Sequence, residues 1–193
     1  MKIVAFNGSP RPDGNTSILL NQVLEPLRAE GFQSEIVQVG GSNIHGCHAC
    51  YACAKTKNGR CSFDDDIANE CIAKMVEADG ILLGSPTYFA DITPETKALI
   101  DRAGFATRWG GDLLKRKVGA AVLAVRRAGA IHGFDSINHF FLIHQMLVPG
   151  SIYWNLGIGL EKGDVMKDEE GLKTMRVLGE NMAWLLKKLG GQK

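Results

Sequence analysis

Two groups of residues have the types and spacing to do chemistry. The first is the run 3–17, Ile-Val-Ala-Phe-Asn-Gly-Ser-Pro-Arg-Pro-Asp-Gly-Asn-Thr-Ser, after which Ile18, Leu19, Val23, Leu24 and Leu27 recur at helical spacing. An apolar run, a loop and an amphipathic segment read as strand, loop and helix. In an open parallel sheet such a loop lies at the carboxyl edge, where the free N–H groups and positive dipole end of the helix attract an anion. Ser9, Asn15, Thr16 and Ser17 add side-chain donors, and Arg11 adds a guanidinium fork suited to a phosphate. The loop has neither the Gly-x-x-x-x-Gly-Lys-Ser/Thr of a nucleoside triphosphatase nor the Gly-x-Gly-x-x-Gly of a dinucleotide site. A mononucleotide with one terminal phosphate fits it better.

The second group is Cys47-x2-Cys50-x2-Cys53-x7-Cys61. Three thiols at two-residue gaps can wrap one inorganic core while a fourth closes the site, as for a [4Fe-4S] cluster on four thiolates. A tetrahedral zinc ion accepts the same donors, although zinc sites usually pair two well-separated knuckles. Reduced thiols in a loop that merely packs are the third reading. His45 and His48 read as exposed loop residues or as donors to sulfur. The fifth cysteine, Cys71, falls on an apolar helix face with Ile67 and Met75 and reads as a buried core thiol. His132, His139 and His144 lie in or beside a later helix, where half-buried structural roles are expected.

The elements that must position these groups follow from periodicity. After the first helix, Gly31 marks a stop and residues 34–39 alternate as a strand. Residues 40–63 lose periodicity and form a loop long enough to be functional. Asp64, Asp65 and Asp66 are expected to open the next helix, because acids favour the positive dipole end. Residues 81–83 are wholly apolar, as in a central parallel strand, and end in Gly84-Ser-Pro-Thr-Tyr-Phe. Thr93-Pro94-Glu95 is a helix start that leads through Ala103. Residues 118–125 form the next buried strand, followed by Arg126-Arg-Ala-Gly; 134–146 read as a helix, 148–154 as the last strand and 167–189 as a closing helix. Five strands alternating with helices predict an α/β doubly wound parallel sheet of order 2-1-3-4-5, with a cysteine-rich loop after strand 2.

In that order the loops after strands 1 and 3 flank the switch-point crevice, and the loop after strand 4 comes in beside them. The first would hold phosphate, the second offers Tyr88 and Phe89 to a flat ring, and the third offers Arg126 or Arg127 and a glycine that lets backbone approach. A phosphate followed by a planar ring system is the outline of FMN. A guanidinium near the pyrimidine end of that ring would favour its anionic reduced form. There is no Gly-x-Ser-x-Gly, no His-Glu-x-x-His and no paired carboxylate on a helix face, so nothing points to hydrolysis. Flavin chemistry asks little of side chains, and no catalytic acid or base is assigned.

Composition bounds the rest. With 193 residues, 45% of them hydrophobic, the chain suffices for one α/β domain spanning 1–193. Its 22 basic and 21 acidic residues give a formal net charge of +1 without a basic block, so neither nucleic acid nor an anionic membrane is an expected partner. The chain enters a strand at once, without a basic and apolar leader, and no apolar run approaches the ~20 residues that span a bilayer. A cytoplasmic protein is expected, in which cysteines are ligands, redox thiols or core residues.

Four motifs in order, Gly8-Ser-Pro-Arg-Pro-x-Gly-Asn-Thr, the cysteine run followed by Asp65-Asp66, Gly84-Ser-Pro-Thr-Tyr-Phe and Val125-Arg-Arg-Ala-Gly, together resemble the NADPH-dependent FMN reductase family, and most closely its iron-sulfur flavoprotein branch. The resemblance implies a flavodoxin-like fold, one FMN per subunit, and a homodimer or homotetramer with each flavin close to the neighbouring chain. By that likeness Ser9, Arg11, Asn15, Thr16 and Ser17 take the phosphate and ribityl chain. Pro86, Thr87, Tyr88 and Phe89 border the isoalloxazine, and Arg126 and Gly129 close the third side. It further implies a [4Fe-4S] cluster on Cys47, Cys50, Cys53 and Cys61. The donor would be NAD(P)H or a ferredoxin-like protein, and the acceptor a small molecule such as a quinone, free flavin or dioxygen. A non-enzymatic flavodoxin-like carrier is the rival reading, against which the near-neutral charge weighs; a zinc-stabilised binding module is another.

Overall fold

Strand β1 (Lys2–Asn7) buries both its faces, with Ile3 and Ala5 on one side and Val4 and Phe6 on the other. That pattern belongs to a central strand covered by helices on both sides. The computed structural model describes residues 1–190. Four further strands, β2 (Gln33–Gln38), β3 (Gly80–Pro86), β4 (Val118–Val125) and β5 (Leu156–Ile158), join β1 in one sheet of order β2-β1-β3-β4-β5 with every pairing parallel. The doubly wound topology expected from the sequence is therefore the one the chain adopts.

Helices α1 (Asn15–Ala29) and α6 (Glu169–Gly190) cover one face. Leu19, Leu20, Val23, Leu24 and Leu27 of α1 meet Ile3, Ala5 and Leu82 of the sheet and Met175, Leu178 and Met182 of α6. Helices α3 (Ala68–Glu77), α4 (Pro94–Trp109) and α5 (Ala130–Ile143) cover the other face, where Cys71, Met75, Leu99, Ala103, Ile137 and Phe141 pack on Val4, Phe6, Ile81 and Leu83. Cys71 is fully buried, and burial pushes its thiol up to about 12. His144 is buried as well, with its ring nitrogens on the Phe140 and Gly104 carbonyls at 2.7 and 3.2 Å. Among the described residues no helix is long and apolar enough to cross a membrane.

Several boundaries differ from the sequence reading. The last strand is Leu156–Ile158 rather than 148–154. Ile152, Tyr153 and Trp154 are each about half exposed, at 51, 52 and 52%, so their apolar character does not come from a place in the sheet. The strand instead contains Gly157, where an added Cβ would lie 2.5 Å from Leu19 Cδ2, so α1 can approach this edge only over a glycine. Helix α3 starts at Ala68, and Asp66 precedes it, accepting the Ala68 N–H at 2.9 Å. Helix α4 runs on to Trp109, α5 begins at Ala130, and the cysteine loop contains a short helix, α2 (Ala52–Thr56).

Candidate functional site at the carboxyl edge of the sheet

All strands being parallel, the loops that follow them converge on one edge. The loop after β1 is held from three directions. Gly8 N–H donates to the Gly84 carbonyl of β3 at 2.7 Å, and Thr93 Oγ1, which precedes α4, donates to the Gly8 carbonyl at 2.8 Å. From β2, Gln38 Nε2 donates to the Ser9 and Gly40 carbonyls, both at 2.6 Å. A side chain at Gly8 would put Cβ 1.9 Å from Thr96 Oγ1 and 2.8 Å from the Gly84 oxygen, so only glycine allows this approach.

The start of α1 lacks the groups that usually satisfy a helix end. Its N-cap is Gly14, no side chain caps it, and the first turn carries no acid. Thr16, 1% exposed, keeps its hydroxyl buried without a hydrogen-bond partner. Unsatisfied N–H groups and an orphan hydroxyl in the same turn are the donor set an oxyanion would complete. Ser9 is buried with Oγ accepting the Arg11 N–H at 3.2 Å, Ser17 is half-buried, and the exposed guanidinium of Arg11 has no partner among the described residues. Asn15 does something else with its side chain. Its Nδ2 donates to the Glu161 carbonyl at 3.0 Å and its Oδ1 accepts the Gly163 N–H at 2.9 Å, which fastens the loop after β5 over the first loop. The Lys162–Asp13 ion pair adds a second fastening. Nothing in the sequence marks that contact, because its partners lie far apart along the chain.

The second loop turns at Phe89 and Ala90, which adopt φ of 48° and 64° between the mutual backbone hydrogen bonds of Tyr88 and Asp91. Left-handed backbone at two non-glycine residues costs roughly 1–2 kcal/mol each. The turn holds Tyr88 half exposed and Phe89 fully exposed. Pro86 and Thr87 are half-buried, and the Thr87 hydroxyl, like that of Thr16, is buried without a partner. The third loop presents Arg126 and Arg127 to solvent and ends at Gly129, whose φ of 89° forms the N-cap of α5. A Cβ there would lie 3.4 Å from Ala90 Cβ, so the second and third loops touch. The loops after β1, β3 and β4, which carry the candidate residues, thus meet at one edge of the sheet.

The loop after β2 gathers the other group. Cys47, Cys50, Cys53 and Cys61, all free thiols, line a single small cavity together with Phe63, Arg102 and Phe105. Ala49 and Tyr51 have φ of 52° and 54°, so the chain reverses its curl between successive cysteines. A hydrogen bond from Ser62, with Sγ and Oγ 3.4 Å apart, and then the Ala52 N–H hold Cys50 below the ordinary thiol value, while burial raises Cys53. Among the described residues the only three metal-ligating atoms within 4.8 Å of one another belong to His45, Asp65 and Asp66, so no three of the four thiols approach that closely. Asn69 of α3, 3% exposed, fixes the last cysteine by accepting the Cys61 N–H at 2.8 Å and donating to its carbonyl at 3.0 Å.

A five-stranded doubly wound sheet with an anion-ready first loop and an aromatic second loop defines a flavodoxin-like flavoprotein. The NADPH-dependent FMN reductase family model matches residues 1–161, and the chain belongs to that family of FMN-dependent oxidoreductases. It is 38% identical to an iron-sulfur flavoprotein of Methanocaldococcus jannaschii over 97% of this chain and 98% of that one. An iron-sulfur flavoprotein of Archaeoglobus fulgidus is 35% identical over 94% of each chain. Among solved structures, RosB with bound 8-demethyl-8-formylriboflavin-5'-phosphate superposes with a TM-score of 0.77 at 18% identity, over 99% of this chain and 81% of its own. The NAD(P)H:quinone oxidoreductase of Methanothermobacter marburgensis gives 0.67 at 14% identity, over 94% and 96%. At those identities the likeness is one of fold.

Proposed function

We propose that the chain carries electrons from a reduced donor through a four-cysteine [4Fe-4S] centre to FMN at the carboxyl edge, and from there to a small acceptor such as a quinone, free flavin or dioxygen. The observation that carries the flavin half is the uncapped start of α1 with its buried, unpartnered Thr16 hydroxyl. Ser9, Thr16, Ser17 and the backbone N–H of Asn15 bind the phosphate there, and Arg11 folds over it. Pro86, Thr87, Tyr88 and Phe89 border the ring, with Arg126 and the Gly129 backbone at its third side. FMN supplies the electron-accepting ring, so the protein's task is to set its pose and surroundings.

For the cysteines, the spacing of the thiols favours a polynuclear centre over zinc. Zinc sites usually pair two well-separated knuckles, whereas three of these thiols fall at two-residue gaps. The likeness to iron-sulfur flavoproteins supports the same reading. A ferredoxin-like protein suits the cluster as donor, and NAD(P)H is the donor that the family name suggests. The reducing cytoplasm is where four free thiols persist for assembly. Fully exposed Phe89 and half-exposed Tyr153 and Trp154 suit a homodimer or homotetramer that covers them.

Anaerobic purification followed by assays for flavin, iron, acid-labile sulfide and zinc tests this reading. Flavin with equal iron and sulfide is expected, and Cys50→Ser should release the iron while flavin stays bound. Flavin without iron would reduce the function to a simple reductase, and zinc without flavin would defeat both halves.

A further inference from the structure

Arg102 lies on the stripe of α4 that otherwise carries Leu99, Ala103 and Ala106, and it is 2% exposed. An unpaired guanidinium is among the costliest groups to bury, so its partners explain its presence. Asp66, with its side chain 3% exposed, forms an ion pair with Nη1. Nη1 also reaches the His45 carbonyl at 3.4 Å, and Nη2 donates to the Phe63 carbonyl at 2.7 Å. These bonds tie the chain just before Cys47 to the chain just after Cys61. Asp66 accepts the His45 and Ala68 N–H groups as well, both at 2.9 Å, so its charge is shared with the start of α3.

One donor remains. The Nε of Arg102 is buried with no hydrogen-bond partner, and Arg102 lines the cavity of the four thiols. The ion pair with Asp66 keeps the buried guanidinium charged.

We propose that Arg102 offers its free Nε–H and its positive charge to the cysteine centre and thereby raises that centre's reduction potential. The inference rests on the cluster reading given above. A centre on four thiolates is already anionic and becomes more so when one electron arrives from the donor. A buried cation and a hydrogen bond to sulfur stabilise that reduced form more than the oxidised one. No bond to carbon is made or broken, and the electron leaves toward FMN. Arg102 is a tuning residue, distinct from the four ligands.

The test compares the wild type with two variants, each purified and reconstituted without oxygen. Arg102→Lys keeps a cation beside Asp66 but has no Nε–H. Asp66→Asn combined with Arg102→Gln removes both charges at similar volume, so neither is left buried alone. Potentiometric titration, followed by EPR for the cluster and by absorbance for the flavin, reads the result. Both variants are expected to keep flavin and iron, with a cluster midpoint more negative than wild type and an unmoved flavin midpoint. A variant that keeps its iron at the wild-type midpoint overturns the inference. So does loss of iron from both variants with flavin and circular dichroism intact, which would make Arg102 only a tether of the loop ends. Wild-type protein that itself holds flavin but no iron defeats the cluster reading, and the inference with it, so the wild-type sample alone separates the two failures.

Discussion

A buried hydroxyl without a partner costs roughly 1–3 kcal/mol, and Thr16 in the first turn of α1 and Thr87 after β3 each carry one. That cost sets up a test with opposite signs. Thr16→Val should leave the flavin-free protein as stable as before or slightly more so, since the lost group had no partner. The same change should weaken FMN about 10- to 100-fold, because a hydrogen bond to a charged oxygen is worth roughly 1.5–3 kcal/mol. A thermal melt of the apoprotein beside a flavin-fluorescence titration reads both, and unchanged affinity would return Thr16 to the helix packing. At this scale the sequence was legible for Cys71, buried as its apolar helix face foretold, and for the gathering of the four thiols round one cavity. It was illegible where a polar side chain serves a distant backbone, as Asn15 serves Glu161 and Gly163. Arg102 did leave a signal, since an arginine three residues after Leu99 and four before Ala106 sits in phase with the buried stripe.

Among elements, the strands whose burial comes from both faces were readable from runs of apolar residues, and β5 was not. Its three residues include a glycine demanded by Leu19, while the more apolar segment before it, with Ile152, Tyr153 and Trp154, stays half exposed. Hydrophobicity records that a segment prefers burial and leaves open what buries it. The cysteine loop shows the converse, for its path is set by Asp66, Asn69 and Arg102 on the flanking helices rather than by any periodicity of its own. The same dependence of a loop on its neighbours gives a prediction at Gly40. An added Cβ there would lie 2.2 Å from the Ser9 carbonyl carbon and 2.4 Å from the Gly8 and Ser9 oxygens, all backbone of the phosphate loop. Gly40→Ala should therefore destabilise the fold by about 1–3 kcal/mol and weaken FMN at least ~10-fold, as the first loop shifts off the start of α1. Gly46→Ala, where no atom lies within 4 Å, should change neither. Parallel denaturant and flavin titrations on the two variants check this, and equal behaviour would show that Gly40 does not brace the loop.

For the whole molecule, the groups that bind protons differently in the folded chain define its pH range. Asp66 is opposed by burial but held below the ordinary 3.8 by the His45 and Ala68 N–H groups and Arg102, and Glu35 is held below 4.5 by Lys2 and Lys74. Depressed carboxylates contribute stability that is present above those values and lost as pH falls through their folded ones. The acid limb should thus open below about pH 4, and it should be shallower in Asp66→Asn. The alkaline limb belongs largely to Cys71. Its thiol ionises freely at 9.0 when unfolded but is pushed up to about 12 by burial against the sheet. A raised pKa contributes stability that is whole below 9.0 and lost as pH climbs toward 12, in all about 4 kcal/mol. Cys71→Ala would lower stability at neutral pH by the cavity it leaves and yet flatten the decline above pH 9. Urea midpoints of the metal-free, reduced protein between pH 7 and 11 should show the two curves converging. Parallel curves would mean that the buried thiol has no part in the alkaline loss and that it comes instead from lysines such as Lys2 and Lys74, whose pairing with Glu35 holds their protons more tightly.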